Sequence, residues 1–213
     1  MIPKLHYISQ GNSLKEHIEH IQKACNAGAE LVQLRVKKCS QKKLLAIAQE
    51  AREITAHFQT RLIINDDYKI AKEVKGDGVH LGSSDACPTI ARKHLYTWQI
   101  IGGTAHTLQD CETLITKQID YISLGPYSTT TTKETTASTL GVSGYKAIIE
   151  ELQTNTPILA VGGITLDDVT KILDAGVDGI AVSKAITTDF NSIRLFNELL
   201  GASSTHEQRH SFK

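Results

Sequence analysis

Asp66 and Asp85 stand nineteen positions apart in the stretch 61–85, RLIINDDYKIAKEVKGDGVHLGSSD. Each follows a short apolar run, Leu62–Ile64 before Asn65-Asp66-Asp67 and Gly78–Leu81 before Gly82-Ser83-Ser84-Asp85. Runs of this length bounded by turn residues read as strands buried on both faces. The helical pattern between them, 68–74, makes the stretch a βαβ unit with parallel strands. Ligands of parallel α/β proteins collect at the carboxyl ends of the strands, so both aspartates are expected at one rim. Two carboxylates with no Cys or His cluster beside them suit Mg²⁺ better than zinc. The alternative reading makes both aspartates helix N-caps.

Gln33, Arg35 and Lys37 recur at a spacing of two, which places them on one face of a second strand. Two cations on such a face require an anionic partner or a path to water. An anionic ligand meets that need, and so does a salt-bridge layer with barrel carboxylates. Gly103-Thr104-Ala105-His106 follows a fifth apolar run, and Gly125-Pro126-Tyr127-Ser128-Thr129-Thr130-Thr131-Thr132-Lys133 follows a sixth. Hydroxyls and a lysine on a long loop can wrap a phosphorylated ligand, although a Thr run also suits a solvated linker. Gly162-Gly163 and Ser183-Lys184 follow the seventh and eighth runs. Glycines there let a phosphate approach backbone N–H groups, or simply make a tight turn. The charges then suggest a diphosphate beside Arg35, Lys37, Lys133 and the aspartates, and a monophosphate at the glycines.

The elements needed to position these residues are visible along the whole chain. Strands are expected at 5–8, 31–36, 62–64, 78–81, 99–102, 121–124, 157–161 and 179–183. Helices are expected at 14–27 (capped by Ser13 and ended by Gly28), from Ser40 to about 57, 68–74, 87–95, 108–117, 142–152, Thr165 to 175, and 190–200. Eight strand-then-helix units of about 27 residues fit a single-domain (β/α)8 TIM barrel over 1–200. An open doubly wound sheet is the main competitor, but no G-x-G-x-x-G follows the first strand. The tail, 201–213, is small and polar and is expected to be disordered.

Composition sets the outer limits. Forty per cent hydrophobic and 22% charged residues describe an ordinary globular chain, and zero formal net charge gives no hint of nucleic acid or an anionic membrane. No run is long enough to cross a bilayer, and MIPKLHYIS lacks a signal-peptide pattern. Cys25, Cys39, Cys87 and Cys111 are scattered with no C-x-x-C pair, which fits reduced packing thiols and a cytoplasmic location.

QLRVK (33–37), IND (64–66), GDGVHLGSSD (76–85), GPYSTTTTK (125–133) and VGGI (161–164), in this order, resemble the thiamine phosphate synthase family. The resemblance spans about residues 5–200 and implies a (β/α)8 barrel. It implies a transferase that joins hydroxymethylpyrimidine diphosphate to a thiazole monophosphate, or its carboxylated form, releasing diphosphate by a dissociative route. By the same resemblance Gln33, Arg35, Lys37, Asn65 and Lys133 bind the pyrimidine diphosphate, and Asp66 and Asp85 hold Mg²⁺. Thr104 stands near the diphosphate, where the family usually has serine. Thr130, Thr132, Gly162, Gly163 and the amides of Ser183 and Lys184 hold the thiazole phosphate, Lys184 also replacing a usual serine. Arg35, Lys37, Thr104 and Lys133 are the expected catalytic set. The expected partners are these two small molecules, with no nucleic acid and no membrane; a homo-oligomer is left open. A thiazole tautomerase on the same barrel would rely on a histidine such as His80 or His106, and a non-catalytic phosphate binder would keep the pocket without turnover.

Overall fold

The structure is a computed structural model that describes residues 1–37, 39–130 and 137–201. Eight parallel strands close into a barrel in sequence order, β1 pairing with β8: β1 (Leu5–Ile8), β2 (Leu31–Leu34), β3 (Arg61–Asn65), β4 (Gly78–Leu81), β5 (Ile100–Ala105), β6 (Tyr121–Leu124), β7 (Ile158–Val161) and β8 (Gly179–Val182). Nine α-helices are described: α1 (Leu14–Asn26), α2 (Gln41–Phe58), α3 (Tyr68–Glu73), α4 (Pro88–His94), α5 (Leu108–Thr116), α6 (Gly141–Leu152), α7 (Val169–Asp174), α8 (Lys184–Thr188) and α9 (Ser192–Leu199). The core lies between strands and helices, where Val32, Leu34, Leu62, Ile64, Val79 and Ile101 meet helix residues such as Ile21, Ile47, Ala51 and Ile70. Alternation sends the other strand residues inward.

Ser13 and Ser40 cap α1 and α2, accepting from the amides of Glu16 and Lys43. Three aspartates close the floor of the barrel. Asp77, Asp120 and Asp178 each precede an even strand, and each accepts the N–H of a residue at the start of the odd strand beside it: Leu62, Ile101 and Ile158. Arg52 and Arg92 pair with Asp77 and Asp120 at 2.7 and 2.5 Å.

Several boundaries differ from those expected. β2 stops at Leu34, so Arg35 and Lys37 lie in the loop after it and not on a strand face. β5 runs on to Ala105 through Gly102-Gly103, so Thr104 is a strand residue. These glycines belong in the strand for lack of space. A Cβ on Gly102 would sit 2.1 Å from the Tyr121 ring, and one on Gly103 would sit 2.8 Å from Leu114. The helix after β7 opens with a 3₁₀ turn, Leu166–Asp168, capped by Thr165. The short α8 directly follows Ser183 and is absent from the helices expected above. The expected disorder of 202–213, and the positions Thr132 and Lys133, lie outside the described residues.

Candidate active site

The carboxyl-terminal ends of the strands surround one cavity of about 1050 Å³. Gln33, Arg35, Asn65, Asp66, Asp85, Thr104, Thr130, Gly162, Gly163, Ser183 and Lys184 all line it. Lys37 does not. It is exposed and lines a neighbouring groove of about 530 Å³ with Ser40 and Lys43, and Arg35 lines both spaces. The spacing-of-two expectation required β2 to continue past Leu34. The chain instead turns outward there.

Asn65 ends β3, and the Asp66 amide extends the pairing with β4 by donating to the His80 carbonyl at 2.8 Å. Asp66 has φ 67°, the left-handed region that a short polar side chain tolerates better than most. Neither aspartate caps a helix. Asp67 does so for α3, accepting from Lys69 and Ile70, and α4 begins at Pro88 with no side-chain cap. Asp85 Oδ2 accepts the Gly82 amide at 2.6 Å, which closes the loop after β4 on itself. Burial lowers the pKa of the Arg35 guanidinium, and the negative charge of Asp66 opposes that effect, so the two side chains act on each other. Among the described residues no group of three or more His, Cys, Asp or Glu side chains is arranged around a metal position.

A polar column runs down the barrel beneath this rim. The buried Tyr121 phenol has a proton to place, and His80 Nδ1 lies 3.1 Å away. His80 then accepts at Nδ1 and donates Nε2–H to Thr104 Oγ1 at 2.9 Å. Thr104 keeps its own proton for a ligand in the cavity. Below, His6 packs edge-on against Tyr121 at 5.0 Å. Burial above all, and then the neighbouring His80, pushes the His6 pKa down to about 3. Its Nε2 is the buried side-chain polar atom without a hydrogen-bond partner among the described residues. His106 is tied to the Gly125 carbonyl and serves the loop after β6.

That loop is fastened along the extension of β7. Tyr127 N donates to Val161 O at 2.8 Å, Ser128 N to Gly162 O at 3.0 Å, and Ser128 Oγ to Gly163 O at 2.9 Å. Thr129 and Thr130 are thereby held at the cavity wall beside the glycines. Gly162 and Gly163 have φ 98° and 67°, the left-handed region of a tight turn that favours glycine, and both line the cavity. Ser123 also lines the cavity, from inside β6. Its place was not readable, because a lone polar residue in an apolar run reveals its direction only when the barrel closes.

All four cysteines are free, and Cys25 and Cys111 are buried. No described helix is long and apolar enough to cross a membrane.

A sequence model described as thiamine monophosphate synthase matches residues 5–186. A thiamine-phosphate synthase of Flavobacterium johnsoniae is 39% identical over 190 residues, covering 88% of this chain and 90% of the relative. One from Clostridium novyi is 36% identical over 195 residues, covering 92% and 90%. The solved structure of a thiamine phosphate pyrophosphorylase from Pyrococcus furiosus superposes with a TM-score of 0.81 at 28% identity, covering 93% of this chain and 97% of that one. With a closed (β/α)8 barrel and near-full-length matches of this kind, the chain belongs to the thiamine monophosphate synthase family.

Proposed function

We propose that the chain is a transferase that condenses hydroxymethylpyrimidine diphosphate with a thiazole monophosphate, giving thiamine phosphate and diphosphate. One observation carries this reading. A single cavity brings together Arg35, the pair Asp66 and Asp85, and the Gly162-Gly163 turn with the start of α8. A volume of about 1050 Å³ is at the upper end for a small-molecule site and suits two substrates.

The diphosphate end lies at Arg35, Asp66 and Asp85, with Gln33 and Asn65 turned to the pyrimidine ring. Lys37, beside Arg35 in the adjoining groove, and Lys133 are further cations for the same anion. The monophosphate lies against the backbone of Gly162-Gly163 and the amides of Ser183 and Lys184, with Thr130 on its other side. Two carboxylates without thiolate or imidazole neighbours fit Mg²⁺, which takes one or two protein carboxylates and fills its shell with phosphate oxygens and water. When bound, Mg²⁺ would neutralise charge that builds on the leaving diphosphate.

The chemistry asks for no protein nucleophile. The bond between the pyrimidine methylene carbon and the diphosphate oxygen breaks, and the electron pair leaves with the diphosphate. Arg35 and the Thr104 hydroxyl stabilise that charge where it develops. The thiazole nitrogen then attacks the methylene cation and forms the new carbon–nitrogen bond. His80 holds Thr104 with its proton directed at the ligand. Purified protein incubated with both substrates, with and without Mg²⁺, tests the reading. Thiamine phosphate and diphosphate should appear in equal amounts and only with the metal, and their absence would end it.

A further inference from the structure

The last rung of the β1–β2 ladder joins Ile8 and Gln33, and beyond it a side chain continues the pairing. Ser9 N donates to the Gln33 carbonyl at 2.9 Å. The Arg35 amide comes next, and its acceptor is Ser9 Oγ at 3.0 Å. The same oxygen lies 2.8 Å from Nδ1 of His17 on α1, and both residues are buried. A serine hydroxyl has one proton. With one lone pair committed to Arg35 N–H, the hydroxyl still bonds His17 Nδ1 through its proton or its second lone pair, so one oxygen ties the Arg35 backbone to α1. Gly11 permits the fit, since a Cβ there would sit 2.9 Å from the Glu16 Cβ and 3.2 Å from the His17 ring.

Arg35 stands on the wall between the mouth cavity and the adjoining groove. A small displacement of its backbone would send the guanidinium into one space or the other. We propose that Ser9 and His17 are positioning residues that hold the Arg35 backbone so that its side chain enters the mouth, and that they thereby set affinity for the diphosphate-bearing substrate. The proposal rests on the reading of the cavity given above. The competing account is that His17 only seats α1 on the barrel and that Arg35 finds its place without it.

Two measurements on the full chain decide between them: amide hydrogen exchange at Arg35 by NMR, and the KM of each substrate. Ser9→Ala should speed Arg35 exchange and leave the β3 amides protected. It should raise the KM for the pyrimidine diphosphate about tenfold, the size expected for a lost hydrogen bond at a charged contact. The KM for the thiazole phosphate should stay unchanged. His17→Asn keeps a polar partner for the Ser9 hydroxyl and should fall closer to wild type than His17→Leu. Unaltered Arg35 exchange in Ser9→Ala would overturn the proposal. So would a parallel rise of both KM values with lost protection throughout β3, the sign of a purely structural role. Failure of the wild-type protein to turn over the substrates would instead refute the proposed reaction, and the Arg35 exchange would still test the hold of Ser9 and His17 on the Arg35 backbone.

Discussion

Asp85 folds its carboxylate back onto its own loop, Oδ2 accepting the Gly82 amide at 2.6 Å. One oxygen thus shapes the loop after β4, and the other is available to a cation. The two roles separate by substitution. Asp85→Asn keeps a carbonyl oxygen for Gly82 but removes the negative charge, whereas Asp85→Ala removes both. Asp85→Asn should lower Mg²⁺-dependent turnover by about two orders of magnitude with little change in melting temperature. Asp85→Ala should lose at least as much activity and some stability as well. A Mg²⁺ titration of the Asn variant that overlays wild type would remove Asp85 from the metal.

Thr104 is tested through its hydroxyl. His80 Nε2 lies 2.9 Å from Thr104 Oγ1, and with the Tyr121 proton on Nδ1 the ring donates there, which leaves the threonine proton for a ligand. Thr104→Val has nearly the same shape and removes the hydroxyl that His80 Nε2 bonds. It should cost about 10²-fold or more in kcat, the range seen when a donor to developing charge is removed. Thr104→Ser keeps the proton and should stay within about tenfold of wild type. Equal rates for the Val and Ser variants would show that the hydroxyl does not act on the leaving group.

Legibility in the sequence followed the range of the interactions involved. Asp66, Asp85 and Gly162-Gly163 were placed correctly at the mouth because a short apolar run and its next few residues locate a strand end without any distant partner. Arg35 and Lys37 were read from a spacing of two on a strand face; Arg35 lines the mouth and Lys37 only the adjoining groove. β2 ends at Leu34, and the next amide but one beyond Gln33, that of Arg35, is taken by Ser9, twenty-six residues earlier and outside any local window. The end of β5 was missed because Gly102-Gly103 looks like a break until Tyr121 and Leu114 fill the space. Five residues of α8 are too few to show a helical period. The His6–Tyr121–His80 column depends on three strands, β1, β4 and β6, meeting at one axis, which no single window contains.

Gly163 makes a steric prediction. Its φ of 67° disfavours any side chain, and an added Cβ would stand 2.2 Å from Ser128 Oγ and 2.8 Å from the Thr129 carbonyl. Gly163→Ala must therefore push the loop after β6 off its seat on β7. The KM for the thiazole phosphate should rise at least about tenfold, and the KM for the pyrimidine diphosphate should change much less. Competition by inorganic phosphate, weakened in the variant, gives an independent reading. Equal effects on both substrates would place the monophosphate elsewhere.

His6 contributes to the acid side of stability. Its pKa is about 3 in the folded barrel against 6.5 for an exposed imidazole. Above 6.5 the ring is neutral in both folded and unfolded chains and contributes no pH dependence. Below 6.5 the unfolded chain binds a proton that the folded one refuses, so stability falls, and it keeps falling until the native ring titrates near 3. His17, also lowered chiefly by burial, adds to the same trend. Urea unfolding between pH 7 and 4 should show a steeper loss in wild type than in His6→Leu, by up to about 1.4 kcal/mol per pH unit. Parallel curves would mean that the ring is not kept neutral.

Asp120 lies at the opposite end of the barrel from the mouth, and its variants should separate folding from chemistry. Its Oδ2 accepts Ile101 N at 2.6 Å and Arg92 at 2.5 Å, so one carboxylate closes the start of β5 and neutralises a half-buried guanidinium. Asp120→Ala leaves both donors without their acceptor, a loss of about 2–4 kcal/mol. Asp120→Asn retains an acceptor for Ile101 and loses only the charge, so it should fall between Ala and wild type. Neither change reaches Arg35, Thr104 or the glycine turn. At a temperature where the variants remain folded, both KM values and kcat should match wild type. A selective rise in either KM would show that strain at the floor reaches the rim, and β5, which joins Ile101 to Thr104, would be the element that transmits it.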